Sequence, residues 1–438
     1  VPLSQKEVVE QAKIMLAWRD ADKSRLDRIH DYLRGVQALT WVSTAPTTEV
    51  RRLANLSRVN MLGLVVDSVA QSMYVDGYRA PKADTDAPAW ELWQQNRMDA
   101  RQIGVHRAGL AYGAAYVTVL PGEPVAVMRG ISPRDMTVTY GEDPDWPLWA
   151  LEKRGVQASD GAQLYRLFDD TRAYWVSVKG TGAPVYVSEE THGQGVVPVV
   201  RFRAVDDLED DLRGEVEDLI PLQDQIDITT FGLLVAQHFG AFRQRYILGW
   251  LAETEEQSMK VSASKLWTFE QGKDEMQVGE FSQTDLKGYL ESREATIRHL
   301  ASVSQTPAHE LVGQLVNLSA EALAAAEASK RRKVTERETA FGESWEQVLE
   351  LGGSVAGYAV DPQAQVRWRD TEARSFAAMV DGLVKLATLG VPIDLIIERI
   401  PGFTQQDVER AKSLIAQGDS FAQLTATLER QASSFGGV

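Results

Sequence analysis

The chain has 438 residues, 44% hydrophobic and 25% charged, which is ordinary globular material for two or three domains and excludes a disordered or collagen-like chain. It contains no cysteine, which excludes disulfides, thiolate zinc sites and a cysteine nucleophile, and fits a reducing cytosol. The formal net charge of -16 argues against a protein that grips nucleic acid through its phosphates, but not against one past which DNA slides, because like charges repel.

Val1 to about Leu39 reads as helix. In "VPLSQKEVVEQAKIMLAWRD", Val8, Ala12, Met15 and Leu16 share one side, and Gly35 supplies a stop signal. The start is amphipathic, without the basic head and apolar core of a signal peptide, and no stretch approaches ~20 uninterrupted apolar residues, so no membrane span is expected. "WVSTAPTTEV" reads as a loop. "SRVNMLGLVVDSVAQSMYVDGYR" reads as an apolar helix running into a short strand or turn at Gly77. Beyond the loop "RAPKADTDAP", a helical period carries Trp90, Leu92, Trp93 and Met98 and gives way to a strand in "AYGAAYVTVL".

From Val117 to about Val205 the pattern is β. Met136, Val138 and Tyr140 alternate before a Gly-Glu-Asp-Pro turn and a strand around Trp149 to Lys153. "QLYRLFDDTRAYWVSVKG" is strand, turn at Asp169 to Thr171, strand. "PVYVSEETHGQGVVPVVRFRAV" is expected to add a further pair, making antiparallel hairpins throughout.

Helix returns in "DDLEDDLRGEVEDLIPLQDQIDITTFGLLVAQHFGAFRQRYILGW", with an apolar period through Leu219, Leu222, Ile226, Phe231, Leu234 and Val235. Leu248 to Ser282 is a small polar island with strand candidates in "SKLWTF" and "MQVGEF". "TDLKGYLESREATIRHLASVSQT" is helical. A short apolar loop, "TPAHELVGQLVNL", then leads into a very long helix from Ser319 to Leu351, about 50 Å at 1.5 Å per residue. Ser319 suits an N-cap, the start is rich in alanine, and Phe341, Trp345, Val348 and Leu349 form an apolar stripe at the far end. A strand-like piece between Ala359 and Arg369 precedes at least three helices, separated by "LGVP" and "IPGFT".

Catalytic signatures are absent. Gly272–Lys273 lacks the rest of a phosphate loop, and there is no H-E-x-x-H or G-x-S-x-G. His30, His106, His192, His238, His299 and His309 show no metal-ligand spacing and read as surface or helix-face residues. The acidic run Asp206 to Asp218 could be a two-metal nuclease site. Its contiguous Asp206, Asp207, Asp210 and Asp211 cannot all point inward, so a solvated helix start that complements the dipole is the preferred reading. "KRRKVTER" supplies Lys330, Arg331, Arg332 and Arg337, and many of the helix's glutamates lie three or four residues from a base, which favours an exposed or intersubunit helix face over phosphate contact.

In this order the pieces resemble a bacteriophage portal protein, of the type found in long-tailed phages of Gram-positive bacteria. "GEVEDLIPLQDQIDITTFGLLVAQHFGAFRQRYILG" is similar to the first stem helix, and "SKLWTFEQGKDEMQVGEF" sits where the clip sits. "DLKGYLESREATIRHLASVSQTP" resembles the second stem helix, and "TPAHELVGQLVNLSAEAL" the tunnel loop and the start of the long wing helix. "SPRDMTVTYGEDPDWPLWALEKR" resembles the wing β-region.

The resemblance implies an α+β, portal-like fold. Its α/β wing is 1–213, the first stem helix 214–247, the clip 248–283, the second stem helix 284–305 and the tunnel loop 306–318. The long helix and wing return follow at 319–370, and a helical crown at 371–438. It implies a ring of about twelve copies at one capsid vertex, assembled in the host cytoplasm, through which a terminase packs double-stranded DNA and DNA later leaves. Terminase, head-tail adaptor, major capsid protein and a scaffold are the implied partners, with no membrane, cofactor, metal or catalytic residue. Gly313, Gln314 and Asn317 would face the DNA. Trp250, Trp267 and Phe269 would be clip contacts, and Lys330, Arg331, Arg332 and Arg337 subunit contacts. Such a ring would carry a charge on the order of -200, which would keep DNA from sticking. The rival readings are a carboxylate-metal nuclease or hydrolase using Asp206 to Asp218, and an oligomeric scaffold unrelated to virions.

Overall fold

The computed structural model describes residues 3–42, 46–80, 87–123, 125–156, 161–205, 208–209, 212–240, 245–248, 277–280, 286–313, 320–370, 376–398, 400, 403–415 and 417. The chain forms two compact units. The first comprises Val1–Leu26, Asp67–Gly214 and Arg332–Val438, the second Asp27–Val66 and Glu215–Arg331.

The first unit is built on sheets. Strands β2 (Ala114–Pro121), β3 (Ala126–Ile131) and β9 (Val199–Arg203) form a three-stranded antiparallel sheet with β2 in the middle. Strands β4 (Met136–Tyr140), β5 (Pro147–Val156), β6 (Gln163–Phe168), β7 (Arg172–Val178) and β8 (Val185–Thr191) follow one another as a five-stranded antiparallel meander. A short pair joins β1 (Val75–Arg79) to β12 (Gln365–Trp368).

Successive side chains of a strand point to opposite faces, so each face of the meander has its own core. On one face Ala150, Phe168 and Ala173 pack with Tyr116, Ile131 and Val199 of the smaller sheet. On the other, Leu151, Leu167, Tyr174 and Val176 take Val8, Ala12 and Met15 from the helix α1 (Gln5–Arg34). The amphipathic side expected for this helix is therefore the side that packs.

The smaller sheet is covered by the helix α5 (Met98–Tyr112). The C-terminal half of the long helix, Ala320–Ala356, contributes Phe341, Trp345, Val348 and Leu349, all fully buried. Its 37 residues give a length of about 55 Å. Trp345 meets Phe202 at 4.5 Å and Trp93 at 4.9 Å between ring centroids, both edge-on, the geometry that aromatic quadrupoles prefer.

At the centre of these rings lies His106, fully buried. Trp345 Nε1–H donates to its Nε2 at 2.9 Å, and its Nδ1 lies 3.2 Å from the Met73 carbonyl. Both contacts are satisfied by the neutral Nδ1–H tautomer. Burial pushes the imidazole down to about 3. His192 is also buried, with Nε2 3.0 Å from the Asp169 carbonyl. Neither is a surface residue.

Five local expectations are corrected. The last two β-strands do not pair. Strand β8 stays on the meander, while β9 crosses to β2, with Val117 opposite Val200. The reason is polarity: Val199, Val200 and Phe202 are buried and need cover on both faces, whereas the Glu-Glu-Thr end of β8 tolerates solvent. The helical period through Trp90 and Met98 belongs to two helices, Ala87–Gln95 and Met98–Tyr112, broken where Arg97 takes a left-handed φ of 54°. "WVSTAPTTEV" ends inside a helix, Thr48–Leu56, whose N-cap Thr47 accepts from the Val50 N–H at 3.3 Å.

The strand-like piece after Ala359 is confined to Gln365–Trp368. The run through Leu219 and Val235 ends at Gly240, and Arg245–Leu248, read as continuing it, is a strand of aromatic and branched residues. Among the described residues, the C-terminal part shows helix at Phe376–Thr388, Ile393–Ile397 and residues 405–415.

Candidate functional site

The candidate channel and docking residues fall mostly in the second unit. Its frame is a pair of helices, α6 (Ile220–Gly240) and α7 (Lys287–Val303), packed on each other. Gly232 permits the approach: a Cβ there would lie 2.9 Å from Tyr289 Cε1. Between the helices in sequence, Arg245–Leu248 and Gln277–Glu280 pair antiparallel. Trp250, Trp267 and Phe269 fall between these strands, outside the described residues.

The base of α6 is held by a buried polar network. Asp227, fully buried, accepts from Gln37 Nε2 at 2.8 Å, Gln223 Nε2 at 2.9 Å and the Val59 N–H at 3.1 Å. Gln223 also donates to the Val59 carbonyl at 2.6 Å and accepts from the Met61 N–H at 3.1 Å. Burial pushes the Asp227 carboxyl above its usual range, and the bonds from Val59, Gln223 and Gln37 pull the other way. One turn away Tyr32 donates to Asp224 at 2.7 Å. These contacts tie α6 to segments between 162 and 192 residues earlier in the chain.

The upper part of α6 is different. It carries no Lys or Arg, and its apolar residues run round the helix. Leu233 is buried, but Phe231, Leu234 and Val235 are only partly covered and Ile228 is 44% exposed. On α7, Leu290 is 50% and Val303 61% exposed. Charges on α7 pair along the helix, Lys287 with Glu291 and Arg298 with Glu294.

The loop candidate follows directly. Helix α7 closes with Gln305 in a left-handed φ of 54° and the Thr306 N–H donating to the Ala301 carbonyl at 3.0 Å. A short helix, Ala308–Val312, ends at Gly313, whose φ is +70° and whose N–H donates to the His309 carbonyl at 2.9 Å. A side chain there meets no other atom but is strained by the backbone. Gln314 and Asn317 lie outside the described residues, as does Ser319; the long helix begins at Ala320. Ala325, Ala326 and Ala328 are exposed near its start.

Lys330, expected at a subunit interface, has a partner within its own chain. It bonds Glu310 at 2.8 Å, with both side chains largely shielded. Arg331 and Arg332 are exposed. Arg337, also read as an interface residue, is only 9% exposed within the chain itself. The Lys330–Glu310 pair was not legible from the sequence, because its partners are separated by the loop.

Of the acidic run, Asp206, Asp207, Asp210 and Asp211 lie outside the described residues, while Glu217 and Asp218 sit in the single turn that opens α6, where a helix dipole favours acids. Among the described residues no group of three or more His, Asp or Glu could hold a metal ion, and no helix is long and apolar enough to cross a membrane.

A family described as phage portal protein, SPP1 Gp6-like, matches residues 13–420. The portal protein of Mycobacterium phage D29 is 25% identical over 366 residues, which is 78% of this chain and 74% of that one. That of Mycobacterium phage L5 is 25% identical over 357 residues, 76% of this chain and 72% of its own. A chain in the virion of a native gene transfer agent particle aligns at a TM-score of 0.49 and 16% identity, covering 80% of this chain and 92% of that one.

Proposed function

The chain belongs to the SPP1 Gp6-like phage portal protein family, and on that premise we propose that about twelve copies close into a ring at one capsid vertex, through which double-stranded DNA enters and leaves. The chain is a structural portal component of a phage virion. Its role in the ring is mechanical, with no catalytic step.

The observation that carries the ring is helix α6. From Ile228 onward α6 is largely apolar and carries no Lys or Arg, a surface that is stable when covered, and a single chain leaves Ile228, Phe231, Leu234 and Val235 only partly covered. Neighbouring copies supply that cover. The exposed alanines at the start of the long helix keep it narrow where copies converge on an axis. The segment between Gly313 and Ala320, which holds Gln314 and Asn317 but no Lys or Arg, faces the DNA and touches it lightly. The strands Arg245–Leu248 and Gln277–Glu280 open the clip, which docks terminase and then the head-tail adaptor.

Electron microscopy of the purified chain tests the ring: class averages near twelvefold, with a pore wide enough for a duplex, are expected. Particles without a central pore at all protein and salt concentrations count against it. The loop is tested by bulky replacements at Gly313 and Gln314, which should abolish DNA packaging while leaving rings intact. Normal packaging by such rings removes the loop from the channel.

A further inference from the structure

A ring built from one kind of chain needs a head-to-tail contact, in which two different patches of the same surface fit each other. A chain of net charge -16 also repels its own copies, so the contact must bring opposite charges together locally. The first unit carries two patches of opposite surplus.

The positive patch lies on the meander. Glu152, 0% exposed, is contacted by three guanidiniums: Arg129, Arg154 at 3.0 Å and Arg166 at 3.0 Å. Arg166 is oriented by its strand register opposite Glu152 and by the Phe168 and Trp175 rings, 4.8 and 5.3 Å away. A second carboxylate, Glu190, reaches Arg166 at 3.4 Å. Positive charge remains in excess. Arg129 and Arg154 keep 43% and 29% of their side-chain surface in solvent, and each guanidinium has donors beyond the one spent on Glu152.

The negative patch is a cleft of about 510 Å³, within the usual size of ligand pockets. It lies between the β4–β5 turn, the C-terminal half of the long helix and the loop before β12. Asp145, Glu343, Glu346, Glu350 and Asp361 line it, against Arg201 and Arg203. Glu343 and Glu350 are exposed and form no ion pair among the described residues. Trp146, Pro144 and Pro362 give the cleft apolar walls, against which the stem of a long cationic side chain can lie. Burial, with Glu343 nearby, raises the Glu346 carboxyl above its usual range, and an incoming cation relieves that cost.

We propose that these patches are the two halves of one contact between copies of this chain, the Arg129–Arg154 side of one copy entering the carboxylate-lined cleft of the next. The proposal rests on the ring reading and is separable from it. The absence of cysteine makes the test clean. Arg154→Cys with Glu343→Cys, treated with a short bis-maleimide linker, should give a ladder of covalent multimers, while each single variant stays monomeric. Rings seen by electron microscopy but giving no ladder overturn the contact. Dimers from a single variant also overturn it, since they show a two-fold contact instead. Particles without rings in the wild-type chain overturn the ring reading, and the contact with it. Independently, Glu343→Lys with Glu350→Lys should weaken ring association at least tenfold with unchanged thermal unfolding of the monomer. Unchanged association at low salt overturns the electrostatic fit.

Discussion

His106 and Asp227 are both fully buried ionisable groups, one in each unit, and they are kept in opposite ways. His106 sits in a closed aromatic core with one donor and one acceptor, so it is neutral and complete within a single chain. Asp227 collects three donors from three segments, at the foot of a helix whose upper apolar surface stays uncovered. The first unit has thus completed the core around its buried group. The second has completed its base, while Ile228, Leu290 and Val303 stay exposed, the surface that the proposed ring would cover. The lesson is that polar satisfaction and apolar burial need not be completed together within one chain.

The sharpest way to break the contrast is Trp345→Ala. It opens a cavity among Trp93, Phe202 and Phe341 and leaves His106 Nε2 without its donor, so a loss of about 3–5 kcal/mol is expected in urea unfolding of the monomer. A loss below about 1 kcal/mol would mean that this core is not the anchor of the first unit.

The next largest effect is on pH. The folded value of His106 lies near 3, below the unfolded 6.5. Its contribution is therefore complete above pH 6.5 and lost as pH falls toward 3, on the order of 4 kcal/mol across that window. His106→Gln can keep one donor and one acceptor and should flatten the slope. An unchanged slope would assign acid sensitivity to other groups.

Asp227→Ala strands three buried donors and should cost about 3 kcal/mol. Asp227→Asn should cost under about 1 kcal/mol, because Gln37, whose Oε1 is buried without a partner, can turn its amide to accept from the new one. The sign for Asp227 is opposite to that for His106. Its folded value is raised, so its contribution is full below the unfolded value and lost as pH rises through the folded one; Asp227→Asn removes this loss. Calorimetry across pH 4–7 reads both variants. The smallest effect belongs to Gln305→Gly, which should relieve a left-handed backbone and raise the melting temperature by an amount worth about 0.5 kcal/mol.

What the sequence revealed follows the range of the interactions. The stripe Phe341, Trp345, Val348 and Leu349 repeats within one helix, and all four residues are buried. The side of α1 formed by Val8, Ala12 and Met15 was legible for the same reason. The meander hairpins are local, so turn residues such as Asp169 to Thr171 announce them. Strand β9 joins a partner some 80 residues earlier, and no local pattern records that choice. The break at Arg97 was hidden because apolar spacing continues through it. In the candidate site, Gly313 was visible as a glycine before a loop. Arg337 is largely buried within the chain, which charge alone does not announce, because solvated and buried arginines look alike in a sequence.

The pair between Glu310 and Lys330 joins the chain before Gly313 to the long helix beyond Ala320, so the two ends that flank residues 314–319 are fixed to each other. Lengthening a flexible loop between fixed feet costs only about 0.6 kcal/mol for each doubling. Changes of length between the two fixed ends should cost the fold little, while removing Glu310 or Lys330 should unfix them. A segment grafted between Gly313 and Ala320 is therefore expected to disturb the rest of the chain less than the loss of Glu310 or Lys330.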